Sequence, residues 1–230
     1  MKTPIIKLNN PSAFKEFNSL WYTLKNITFY KSNGYKYNLP KNKQILDLVK
    51  YSPNFTKNQK INAKKNFIKY VYNPNNYVKV TNLINTVISK FPEEEFFRTL
   101  NKHNKLWGFK LFDTYYINLT AYGTGGSYNY SNGTVTVLTD STGKFNFNPT
   151  QTIAHEIIHI GIEENIVKKY NLTHIEKENL VDAYCLNVFN KLLPNYKVQN
   201  FKKTPLLNLT KQNFSNLPKY IKEYVNKHPR

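Results

Sequence analysis

The sequence predicts an α+β fold: a helix-rich N-terminal part, a small antiparallel sheet with an edge strand, and further helices after the sheet. Three observations predict it. Apolar residues recur at helical spacing up to about residue 107. From Gly108 they alternate among β-formers and pass through Asn132-Gly133, a strong hairpin signal. Beyond that lies an apolar helical stretch, Thr150–Ile160. With 40% hydrophobic and 15% aromatic residues in 230, the chain can bury a sizeable core. A single domain is expected, with a possible subdivision into a helical part, 1–107, and a part with the sheet and the following helices, 108–230.

Taken in order, the chain begins with a loop and then a helix near Ser12–Lys25, where Phe14, Phe17, Leu20, Trp21 and Leu24 are helically spaced. Residues 27–39 are Tyr-rich around Ser32-Asn33-Gly34 and read as a hairpin or an irregular connection. Three apolar stripes follow, at Ile45–Val49, Ile61–Val71 and Val80–Ile88, with Pro53, Pro74 and Pro92 between the pieces. Phe91-Pro92 opens a helix whose first turn holds Glu93, Glu94 and Glu95, which suits the positive end of the helix dipole. Phe109–Leu119 alternates as a strand. The glycine-rich loop Tyr122–Ser127 lacks the pattern of a phosphate-binding loop. Tyr128–Ser131 and Thr134–Asp140 flank the Asn132-Gly133 turn as strands.

Ser141–Asn148 then leads into the apolar helix, with Asn148 as N-cap and Pro149 at the first position. A break or bend is expected at Gly161. Thr173 with Glu176 forms a capping box for a helix from His174 to about Leu193, stopped by Pro194. One more helix is expected over Leu217–Lys227.

The apolar helix carries chemistry. His155-Glu156-Ile157-Ile158-His159 is an HExxH motif, which places two imidazoles one turn apart on one face with a carboxylate beside them. Chance would produce it in about 0.005 chains of this composition. Two hydrogen-bonded core histidines would be the plainer reading. However, an acid and two histidines are costly in so apolar a segment unless something binds them. A catalytic zinc site takes three protein ligands and keeps one position open, so a third ligand is required. Glu178, with eighteen residues between it and His159, is the candidate, and His174, one turn earlier on the same helix face, is the alternative. Asp182 lies one turn beyond Glu178.

The net charge of +19 suggests acidic partners, and nucleic acid among them. Yet Arg98 and Arg230 are the only arginines, and arginine is the residue suited to bidentate phosphate and base recognition. The Lys excess therefore points to a general attraction for acidic surfaces rather than to nucleic acid. Cys185 is the only cysteine, which excludes an internal disulfide, and it reads as a small buried hydrophobe. The first residues show no apolar signal-peptide core and no run reaches the length of a membrane span, so a cytoplasmic location is expected.

HExxH followed after eighteen residues by Glu178, and then by Asp182 in a Glu-x-x-x-Asp pattern, resembles the gluzincin (thermolysin-like) zinc metallopeptidases. The resemblance covers about residues 108–190. It implies a zincin-like fold, one zinc ion held by His155, His159 and Glu178, and Glu156 as general base in peptide-bond hydrolysis. It further implies that Asp182 supports a ligand histidine, and that Thr134, Val135, Thr136, Val137, Leu138 and Thr139 form an edge strand holding a peptide or protein substrate. The family also uses a Tyr or His further along to stabilise the oxyanion. Spacing selects none of Tyr170, Tyr184, Tyr196, Tyr220, Tyr224 and His228. The alternative function is a zinc-binding module without proteolysis, whose basic surface binds nucleic acid or an acidic partner.

Overall fold

The structure is a computed structural model that describes residues 3–140, 144–145, 147–199 and 202–228. Ser141–Gly143 and Asn146, in the expected lead-in to the HExxH helix, lie outside the described residues.

The chain opens with β1 (Ile5–Leu8) and α1 (Ala13–Lys25). Ser12 caps α1 by accepting from the Lys15 N–H, and Phe17, Leu20, Trp21 and Leu24 form its buried stripe. Then come α2 (Ile27–Ser32), α3 (Lys43–Leu46), α4 (Lys57–Tyr70), α5 (Val78–Ser89) and α6 (Glu93–Trp107). The Tyr-rich segment is thus not a hairpin. Ile27 and Tyr30, three residues apart, turn one helical face inward, and only Asn38 makes an isolated bridge, to Gly123. Thr56 and Gln59 form a capping box on α4. The three glutamates open α6, and Gly108 ends it at φ 82°, a left-handed position that suits glycine.

The strands are β2 (Thr114–Thr120), β3 (Gly126–Asn129) and β4 (Thr134–Leu138), in sheet order β1-β2-β4-β3. Two expectations are corrected here. The sheet is mixed, because β1 pairs parallel with β2, β2 pairs parallel with β4, and only β3–β4 is antiparallel. A hairpin signal is local and reports only the antiparallel pair; the β1–β2 pairing joins segments separated by all six preceding helices. Second, the segment Thr134, Val135, Thr136, Val137, Leu138, Thr139 is not an edge strand. Thr134–Leu138 is flanked by β2 and β3, and the Thr139 N–H donates to the Thr120 carbonyl. The edge beside the HExxH helix is β3.

After the sheet come α7 (Pro149–Ile162), a π-helical turn at Glu163–Lys168, α8 (His174–Asn187), α9 (Lys211–Phe214) and α10 (Leu217–Lys227). Helix α7 does not break at Gly161. Phe109 packs where a side chain there would stand, so the glycine allows that close approach, and the helix passes into the π-helical turn two residues later. From Ile153 to Ile162 every residue of α7 is buried, as an all-round apolar helix requires. It lies against β3, β4, α5 and α8. Its main apolar core also takes in Val80, Ile84, Phe96, Phe97, Leu100, Tyr115, Leu180 and Phe214. A second cluster, with Phe17, Leu20, Trp21, Leu24, Ile45 and Phe67, joins α1 to α3 and α4. Cys185 is free and buried. Among the described residues, no helix is long and apolar enough to cross a membrane.

Candidate metal centre

The centre forms where α7 crosses α8. Asn148 accepts from the N–H groups of Thr150 and Gln151, and this cap sets where α7 begins. Thr173 and Glu176 close a capping box on α8, with Glu176 also receiving the Tyr224 hydroxyl at 2.8 Å. The two caps bring His155 and His159, one turn apart on α7, to face Glu178 on α8.

His155 Nε2 lies 2.9 Å from His159 Nε2; Glu178 Oε2 lies 3.2 Å from His159 Nε2 and 3.4 Å from His155 Nε2. Donor atoms about 2.1 Å from a tetrahedral ion stand about 3.4 Å apart, so this triangle has the size of one face of such a site. All three residues are buried, and together they could hold a metal ion. The donor chemistry fits a cation as well. Two imidazole nitrogens and a carboxylate oxygen converge away from water, where uncompensated acceptor groups are costly.

The surroundings orient the ligands. Tyr196 gives its hydroxyl hydrogen to Asp182 Oδ1 at 2.7 Å, so its oxygen accepts from His155 Nδ1–H at 2.6 Å. In its neutral form His155 then keeps its proton on Nδ1 and presents the Nε2 lone pair on the side of His159 and Glu178. Asp182 therefore reaches His155 mainly through Tyr196, its own oxygen being 3.7 Å from Nδ1. Tyr128 stacks on His159 with centroids 4.8 Å apart and planes 5° apart, while its hydroxyl donates to Glu163 at the start of the π-helical turn. Lys177 Nζ donates to the Tyr128 hydroxyl at 3.0 Å and stands 3.7 Å from Glu178 Oε1.

Burial pushes the Glu156 carboxyl up to about 7, with the Glu178 charge adding to the rise and His155 opposing it. Burial lowers His159 to about 3. Burial also opposes charge on His155, but its contacts with Cys185, Glu178 and Glu156 outweigh it and hold His155 well above the usual imidazole value. At Glu178 the desolvation penalty is likewise outweighed, here by the two imidazoles, and its pKa is well below normal.

Glu156 faces the edge strand. A Cβ on Gly126 would overlap Glu156 Oε1 and stand 2.8 Å from Thr152 Cγ2, so only glycine lets β3 come this close. The Leu138 N–H donates to the Gly125 carbonyl, and Gly126 is in register with Val137. The alternation of an antiparallel ladder then turns the N–H and C=O of Gly126 and Tyr128 to the open side of the sheet.

The structure thus brings together His155, Glu156, His159, Glu178 and Asp182, and it keeps His174 outside the triangle. His174 Nδ1 is 3.6 Å from the other Glu178 oxygen, Oε1, and its Nε2 meets the Tyr35 hydroxyl. Of the tyrosines and the histidine considered for the oxyanion, Tyr196 touches the ligands, but on the side of His155 away from Glu178. Tyr184 is in the core against His103. Tyr128, Lys177, Tyr35 and Gln199 were not foreseen. They reach the centre from β3, α8 and two irregular segments, and no spacing rule joins them to the motif. No family model matches the chain, and neither curated proteins nor solved structures show a match.

Proposed function

We propose that this chain is a zinc-dependent peptidase that hydrolyses peptide bonds with Glu156 as general base. The observation that carries the reading is the buried triangle of His155, His159 and Glu178, with Glu156 between it and the open edge of β3. Two imidazoles and one carboxylate are a donor set suited to catalytic zinc, and they leave a fourth position for chemistry. When bound, zinc supplies a Lewis acid and brings the pKa of a coordinated water towards about 7.

The remaining work belongs to the chain. Glu156, raised to about 7, can take a proton near neutral pH and return it to the leaving amine. Tyr196 and Asp182 fix the tautomer of His155. The outward N–H groups of Gly126 and Tyr128 and the C=O of Tyr128 can hold an extended substrate backbone, as an added strand is held at any sheet edge, while the Gly126 C=O already accepts the Thr124 hydroxyl at 3.3 Å. Gly126 places that backbone against Glu156.

The test is metal content by mass spectrometry on protein purified without chelator, followed by cleavage of a peptide library. We expect about one zinc per wild-type chain, loss of it in Glu178→Ala, and retention in His174→Ala and Glu156→Gln. Glu156→Gln should lose at least about 100-fold in turnover, the usual worth of a general base. A Glu156→Gln protein with near-normal turnover would overturn the assignment of the base. Wild type that takes up no zinc would overturn the metal reading.

A further inference from the structure

Gln199 stands beside the triangle, on the segment that follows α8. Its side-chain Nε2 lies 2.9 Å from His155 Nε2 and 3.0 Å from Glu178 Oε2, within hydrogen-bond reach of two of the three candidate ligand atoms at once. The distances are informative. A group at the ion's own position would stand about 2.1 Å from each ligand, and one at the remaining corner of a tetrahedron about 3.4 Å away. The observed separations fit the corner better. The side chain is also tethered there, because the Gln199 backbone N–H donates to Asp182 Oδ2 at 3.0 Å, and the other oxygen of that carboxylate receives Tyr196. One buried carboxylate thus sets both the tautomer of His155 and the position of Gln199.

We propose that Gln199 supplies the fourth ligand of the metal centre through its carboxamide oxygen, and that an incoming ligand must displace it. Oxygen and nitrogen of a carboxamide have nearly the same shape, and a half-turn about the last side-chain torsion exchanges them. With Oε1 turned inward, a donor-only contact becomes an acceptor aimed at the cation. The donor is neutral, so it binds more weakly than a fourth carboxylate and is displaceable. It is also chemically an amide, the same kind of oxygen that a scissile peptide would present. Gln199 therefore acts as an internal stand-in for substrate, and the resting centre is closed. The ligand assignment rests on the metal reading alone; only the likeness to substrate rests on peptide hydrolysis as well.

The test uses the full chain loaded with Co²⁺, comparing wild type, Gln199→Ala and Gln199→Glu. The readouts are the visible ligand-field spectrum and the affinity for acetohydroxamate followed through that spectrum. Gln199→Ala should change the spectrum and bind acetohydroxamate about tenfold more tightly, as expected if the open state is about one-tenth of the wild-type population. Gln199→Glu keeps the side-chain length and the backbone tether but carries charge, so it should bind acetohydroxamate more weakly than wild type. If Gln199→Ala fails to fold, the glutamate variant decides, and wild-type affinity for acetohydroxamate in it overturns the proposal. Indistinguishable spectra and affinities for wild type and Gln199→Ala overturn it while leaving the metal centre intact. Wild type that takes up no Co²⁺ overturns both this inference and the metal reading.

Discussion

Tyr196 holds His155 from the side away from Glu178, Tyr128 stacks on His159, and Gln199 reaches both His155 and Glu178, and these contacts set what single substitutions can do. Tyr196 is the link between His155 and Asp182. Tyr196→Phe keeps the ring against His155 and removes only the hydroxyl, so metal affinity should fall by about 10- to 100-fold without unfolding the chain. A competition titration with a chromophoric chelator measures this, and unchanged affinity would mean that Asp182 orients His155 unaided. At this scale the sequence was legible where the chemistry is periodic. His155, Glu156 and His159 follow from the helix repeat, and Glu178 and Asp182 from a one-turn spacing on the next helix. Gln199 and Tyr128 were not legible, because their role depends on where α7, α8 and β3 meet in space.

Between elements, the decisive contact is that of β3 with α7. Gly126 passes Glu156 so closely that any side chain there must push strand and helix apart or turn the carboxylate away. Gly126→Ala should therefore retain the metal while lowering turnover on peptides by an order of magnitude or more, since small misplacements of catalytic groups are costly. Metal analysis beside a peptide assay separates the two effects, and normal turnover would show that substrate does not run along β3. The glycine-rich loop that ends here was visible in the sequence, but only the fold supplies its reason. The same holds for Gly161, which reads as a helix breaker by propensity yet stays helical because Phe109 needs its space. Caps were the most legible elements. Asn148 and Thr173 each start the helix their side chains foretell, since capping is a contact within three residues.

Across the whole molecule, stability carries a pH signature that lies apart from the centre. His103 on α6 is buried, stacks on Trp107 and bonds to the Tyr184 hydroxyl; burial lowers its pKa to about 4. An unfolded imidazole takes up its proton near 6.5, whereas the folded one resists until about 4. Protons therefore favour the unfolded chain, and stability present above pH 6.5 is lost as pH falls through that interval, by on the order of 2–3 kcal/mol. Urea unfolding of wild type and His103→Phe from pH 7 to 4.5 tests this. The gap between the two proteins should shrink towards acid, and a constant gap would exonerate His103. The arrangement of the sheet was the least legible feature at this scale. Four residues, Ile5–Leu8, are too few to show a period, and their partner lies beyond six helices.

That pairing has a consequence during protein synthesis. Ile5 lies in register with Thr114, 109 positions later. At a ribosomal rate of about 5–20 residues per second, β1 waits roughly 5–20 s for β2 to be made. Throughout that interval an apolar strand has no partner, while α1 to α4 can already assemble their own smaller cluster. Glu178 and Gln199 emerge later still. The full ligand set is therefore complete only after β1 has found its partner.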